Sequence, residues 1–187
     1  MKTKILLVFL LGILATTGST CINDGFLVAV NLPISACFNI KSGANLSWTP
    51  SDPGQPVIIK LADAIDASYV DKIKNARYYD LQVTVHGAYA GSVSGFAYVN
   101  GKPLFTFQGQ WSDFATPQSL LGSSTHITAQ PTGIAELVAV LNQFKTNAST
   151  SMLLTSNGSL SGQSPVPSGL SFCFEVLAQV DADAGAK

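Results

Sequence analysis

The sequence predicts a mainly β protein, an antiparallel two-layer β-sandwich with one amphipathic helix, about 133–146, in a connection. Three observations predict it. Short runs alternate apolar and polar residues, the period of a half-buried strand. Asn-Gly pairs and Pro/Gly clusters punctuate those runs at the spacing of a sandwich or a barrel. Only one segment carries a helical apolar stripe of useful length.

The chain has 187 residues, and 11% of them are charged, against roughly 25% in an ordinary soluble domain. Ser, Thr, Gly and Asn fill the deficit. At 47% apolar the composition also argues against disorder.

Residues 1–20 explain part of the bias. Lys2 and Lys4 form a basic start, Ile5 to Ala15 an apolar run, and "TTGST" a small-residue end. This is the pattern of a secretory signal peptide, and the run is short of the ~20 residues that span a bilayer. The expected domains are a signal peptide over 1–20 and a single β-sandwich over 21–187. Removing the signal takes away two lysines and no acid, leaving eight basic and eleven acidic residues and a net charge of −3. No basic run or patch is present, so nucleic acid is not an expected partner.

The three cysteines are Cys21, Cys37 and Cys173. In "SACFNI" (35–40), Ile34, Ala36, Phe38 and Ile40 share one strand face. In "LSFCFEVLA" (170–178), Leu170, Phe172, Phe174, Val176 and Ala178 share one. Cys37 and Cys173 fall on the opposite, more polar faces. If the two strands are neighbours, these cysteines meet. The expectation is a Cys37–Cys173 disulfide, with two buried thiols as the alternative. Cys21 follows the signal directly. Its setting resembles a bacterial lipoprotein lipobox, which implies lipid attachment at Cys21 and a membrane tether. Gly18 and Thr20 depart from the residues that motif prefers, and ordinary cleavage near Ser19 is the competing expectation.

The elements follow in order. "FLVAVNLPI" (26–34) is β-prone, with Pro33 a break or edge signal. "SWTPSDPGQP" (47–56) is a loop and "VIIKL" (57–61) a short strand. "SYVDKIKNA" (68–76) reads as a short helix capped by Ser68 and Asp71. "YYDLQVTVH" (78–86) alternates, with Tyr79, Leu81, Val83 and Val85 inward. Asn100-Gly101 predicts a type I′ hairpin, because both turn positions need positive φ. That pairing sets Val99 opposite Lys102 and Phe96 opposite Phe105. It puts Phe96, Tyr98, Phe105 and Phe107 on a core face, with Trp111 on the same face if the strand runs on. A carbohydrate-binding aromatic platform is the functional alternative for that stripe. "TPQSLLG" (116–122) reads as a one-turn helix and "STHITAQ" (124–130) as a strand. The main helix presents Ile134, Leu137, Val138, Leu141 and Phe144. "SMLLTSNGSLSG" (151–162) reads as a second hairpin, and 170–180 is the last strand. The layout resembles exported bacterial β-domains and, more distantly, late-embryogenesis-type sandwiches.

No catalytic constellation appears: HExxH, CxxC and GxSxG are absent. The expectation is no catalytic residue, no metal site and no cofactor, with the ligand-binding residues unknown. His86 and His126 read as polar-face strand residues, with a shared metal as the sharper alternative. Asp63, Asp66 and Asp71, and Asp181 and Asp183, read as solvated charges rather than a calcium site. Asn45, Asn147 and Asn157 begin N-x-Ser sequons that carry little.

The leading expectation is a non-enzymatic exported protein with a binding or scaffolding role at the cell envelope. It would be an outer-membrane or periplasmic lipoprotein, or a secreted protein, with a protein or glycan partner at the cell surface. The alternatives are a self-associating filament or layer subunit in which residues 26–34 donate a strand, and a lipid-binding module with a cavity under Ile134, Leu141 and Phe144. A hydrolase has the least support.

Overall fold

The computed structural model describes residues 27–43, 46–52, 56–65, 72–122, 124–147 and 149–183. The expected signal peptide over 1–20, Cys21, Asn45, Asp66 and Asp71 lie outside them. Among the described residues, ten strands form two antiparallel sheets. They are β1 (Leu27–Asn39), β2 (Ser47–Trp48), β3 (Val57–Lys60), β4 (Ile73–His86), β5 (Gly91–Val99), β6 (Lys102–Gln110), β7 (Gln118–Ser119), β8 (Ile127–Ala129), β9 (Ser151–Gly162) and β10 (Ser171–Asp183). One sheet runs β1-β10-β4-β7. The other runs β2-β9-β5-β6-β8, with β3 also paired to β9. The expected sandwich is therefore present, and the expected helix occupies Pro131–Phe144 as α1, between β8 and β9.

The four-stranded sheet is built by the alternation legible in its strands. Leu32, Ile34, Ala36, Phe38 and Ile40 are all buried, as are Leu170, Phe172, Phe174, Val176 and Ala178. β1 runs unbroken through Pro33 because it is an edge strand, where a missing N–H costs no ladder bond on the solvent side. From Leu27 on, the apolar segment of 26–34 pairs with β10 of its own chain, Leu27 opposite Asp183. Across the sandwich, Phe107 stacks on Phe172 with centroids 4.2 Å apart, and Phe105 meets Phe174 edge-on at 5.4 Å. Such pairs add to the burial of the rings themselves.

Several expected elements differ. Residues 73–76 of the expected helix at 68–76 are the start of β4, since Ile73 and Ala76 pair with Ala182 and Val180. In β4, Tyr79 is a bulge residue: Leu177 pairs with Asp80 and Ala178 with Tyr78, so Tyr79 turns outward and is 42% exposed. Residues 116–122 are not a helix. Gln118 and Ser119 form β7 against Val83 and Gln82, because this segment satisfies its polar groups on β4. Of the expected strand at 124–130, only Ile127–Ala129 is β8. Trp111 starts a 3-10 turn, Trp111–Phe114, instead of extending β6; Asp113 caps it through the Gln110 N–H at 2.7 Å. Residues 151–162 form one continuous strand, not a hairpin. Asn157-Gly158 lies within the β5–β9 ladder, opposite Phe96 and Gly95, and the Trp48 indole fills the space a Gly158 side chain would need.

The hairpin at Asn100-Gly101 is present, with φ of 47° and 76°. The Asn100 side chain also accepts from the Leu153 N–H and donates to Glu136, tying the turn to β9 and α1. Val99 faces Lys102 as expected, but a register shift then sets Phe105 opposite Ala97 and Thr106 opposite Phe96. The aromatic stripe is thereby split. Phe105 and Phe107 enter the core, while Phe96 faces outward at 41% exposure and Tyr98 is half-buried beside it.

Helix α1 contacts β4 of one sheet and β5 and β6 of the other. Its buried residues are Gly133, Leu137, Val140, Leu141 and Phe144. Val140 replaces the expected Val138, which is exposed, because the helix turns the 133/137/140/144 line inward. A Cβ on Gly133 would sit 2.1 Å from the Pro103 carbonyl oxygen and 2.4 Å from the Leu104 Cα. Glycine is what lets the helix lie against β6.

Candidate functional site

The expected pair Cys37 and Cys173 face each other directly across β1 and β10 and form a disulfide, with Cα atoms 4.0 Å apart. It lies on the outer face of the four-stranded sheet and fits an oxidising, non-cytoplasmic compartment. Among the described residues no helix is long and apolar enough to cross a membrane.

The two histidines are not brought together. His86 ends β4 in the four-stranded sheet, whereas His126 lies in the turn before β8, beside β6 of the other sheet. His126 is therefore not a strand residue as expected. Its Nδ1 lies 3.2 Å from the Gln108 carbonyl, which can only accept, so Nδ1 carries a proton there. The Asp113 carboxylate is 3.7 Å from the same nitrogen. Among the described residues no group of three or more His, Cys, Asp and Glu could hold a metal ion. Asp63 is an exposed residue of a 3-10 turn.

Buried polar groups elsewhere are structural. The Asp80 carboxylate, 8% exposed, accepts from the Ser119 hydroxyl at 2.8–2.9 Å. It also accepts from Gln82 and from the backbone N–H groups of Leu81 and Leu121. Burial pushes its pKa up, but these donors together outweigh it and hold the pKa below the usual carboxylate value. Burial raises the pKa of Tyr89, whose hydroxyl has no hydrogen-bond partner.

Among the described residues, a groove of about 600 Å³ that could take a ligand lies on the outer face of the six-stranded sheet. The antiparallel register places its floor in two adjacent rows that run across the strands. One row is Asn157, Phe96, Thr106 and Thr128, contributed by β9, β5, β6 and β8 in turn. The other is Ser159, Ser94, Gln108 and His126. Ser94 and Ser159 hydroxyls lie 3.3 Å apart, and the Thr106 hydroxyl points to the Thr128 carbonyl at 3.5 Å. The Phe96 ring stacks on Tyr98, centroids 6.1 Å apart, and Asn157 donates to the Tyr98 hydroxyl at 3.0 Å. No Asp, Glu, Lys or Arg is among the described residues lining the groove. Beyond it, on the same face, Ile58 and Leu153 pair and are both exposed.

The sequence pattern pointed to Phe96 and Tyr98 through the aromatic-platform alternative, but not to the polar rows around them. The signal was present as alternating Ser, Thr, Asn and Gln in β5, β6 and β9. It was hidden because residues 151–162 read as a hairpin and Phe96 read as core.

No protein-family model matches the chain, and no curated protein does. Among solved structures, it is similar to one of Desmodium yellow mottle tymovirus, with a TM-score of 0.34 and 12% identity over 87% of this chain and 85% of that one. It is also similar to one of Turnip yellow mosaic virus at 100 K, with a TM-score of 0.35 and 11% identity over 87% of this chain and 98% of that one. TM-scores this low leave both likenesses without weight for the fold or the site.

Proposed function

We propose that the protein is an exported, non-enzymatic binding module of the cell envelope, and that it binds through the outer groove of its six-stranded sheet. One observation carries the reading. The groove floor presents two ordered rows of uncharged donor and acceptor side chains on a rigid sheet, with one exposed aromatic ring among them. Recognition sites combine a concave apolar contact with a few fixed polar groups in this way. Its chemistry suits holding a ligand more than transforming one. The nearest carboxylate, Asp113, is engaged in capping a turn, and His126 is bonded to a backbone carbonyl.

Export is supported by the apolar segment 5–15 behind Lys2 and Lys4 and by the disulfide. Lipid attachment at Cys21 would hold the module at the membrane. A mature N-terminus carrying a diacylglycerol-sized mass on Cys21 is the expected mass-spectrometric result for the anchored form.

The test uses the purified exported protein and envelopes of the cells that make it. Thr106→Arg places a charge on the groove floor, which a neutral ligand would have to desolvate. It should reduce retention by about tenfold or more, while Thr84→Arg, on the other sheet, should not. Equal retention of wild type and Thr106→Arg would end the reading.

A further inference from the structure

We infer that the groove's ligand is a neutral, linear oligosaccharide lying across the strands, with one sugar ring stacked on Phe96. This rests on the groove being the binding surface. The two rows run perpendicular to β9, β5, β6 and β8, so successive side chains in a row are separated by the inter-strand spacing of about 4.8 Å. Linked pyranose rings repeat on a similar length. A chain of sugars laid along the rows therefore meets one side chain per ring from each row.

The chemistry matches at each position. A sugar hydroxyl both donates and accepts, and so do the hydroxyls of Ser94, Ser159, Thr106 and Thr128 and the amides of Gln108 and Asn157. A pyranose also has an apolar C–H face, which needs a flat apolar partner. Phe96 supplies it within the polar row: its ring is 41% exposed and is backed by Tyr98, which Asn157 holds in place. Phe96, between Asn157 and Thr106, lies outside the core, which is filled from the other side by Phe105 and Phe107. With no Asp, Glu, Lys or Arg among the described lining residues, and with the His126 Nδ1 against the Gln108 carbonyl, the groove selects against uronic acids, sulfated sugars and charged peptides, whose charges would be desolvated without a partner. The groove is also large enough for several rings.

The experiment is calorimetric titration of the exported protein with neutral linear hexasaccharides (cello-, xylo-, manno- and chito-hexaose) and, as the charged arm, a hyaluronan hexasaccharide. At least one neutral hexasaccharide should bind. Its affinity should fall about tenfold or more in Phe96→Ala and stay constant from about 50 to about 500 mM salt. Amide shifts on titration should localise to β5, β6 and β9 in the wild type, and a dispersed amide spectrum of Phe96→Ala shows that the variant is folded. Binding of none of the neutral sugars, binding of hyaluronan alone, or an affinity unchanged by Phe96→Ala would overturn the inference. Loss of envelope retention in Thr106→Arg with no neutral sugar bound would leave the groove as the binding surface and remove the oligosaccharide. Unchanged retention would remove the surface itself.

Discussion

At the residue scale, the densest polar contacts converge on the Asp80 carboxylate. It anchors the 119–121 segment to β4 by accepting from the Ser119 hydroxyl and the Leu121 N–H. Its pKa is depressed in the folded chain, so its stabilisation is fully present above the unfolded value of ~3.9 and is lost as pH falls through the lower folded value. Asp80→Asn should therefore destabilise by about 2–3 kcal/mol at pH 7, since charged hydrogen bonds to a buried group are removed. The difference from wild type should shrink in acid, below about pH 4. Urea unfolding of both proteins at pH 7 and pH 3 checks this, and a constant difference would assign the carboxylate no such role. None of it was legible in "YYDLQVTVH", where Asp80 reads as a solvent-facing strand residue. Only the segment folded over it, from some forty residues downstream, makes it a buried one.

At the element scale, the bulges decide which side chains face inward. Period-2 patterning worked for β1 and β10, where all nine residues expected inward are buried, because the register between these two strands is unbroken. It failed at Tyr79 in β4, although Leu81, Val83 and Val85 are buried as expected, and around Leu104 in β6, where one extra residue shifts the faces. Helix α1 shows a related effect. Gly133, at the expected start of the helix, is the contact point with the backbone of Pro103 and Leu104. Gly133→Ala should gain helix propensity of about 1 kcal/mol and still lose about 2 kcal/mol or more net, because the neighbouring atoms are backbone and must shift. A lowered urea midpoint is the expected outcome, and a raised one would mean that the helix slides without cost.

At the scale of the whole molecule, the disulfide joins the first strand to the last across 136 residues. In the loop-entropy account, closing so long a loop contributes about 4–5 kcal/mol. Cys37→Ser should therefore unfold at a markedly lower urea concentration than the oxidised wild type, and should match the reduced wild type. Identical midpoints for all three would show that the β1–β10 pairing alone holds the ends. The groove also belongs to this scale. Its two rows exist only because four strands, drawn from residues 91–162, come into one antiparallel register.

Local pattern in the chain is enough for the class of fold, the inward faces of β1 and β10 and the Asn100-Gly101 turn, and for the expectation that Cys37 pairs with Cys173 if their strands are neighbours. These follow from local periodicity, from the φ that a two-residue turn demands, and from the identity of the few cysteines. The tertiary structure alone decided that Phe96 faces outward, that 151–162 is one strand, that Asp80 is buried and that a groove exists. Those depend on where a strand gains one residue against its partner and on which distant segment covers it. Both are fixed by packing between strands, and no period within a single strand records them.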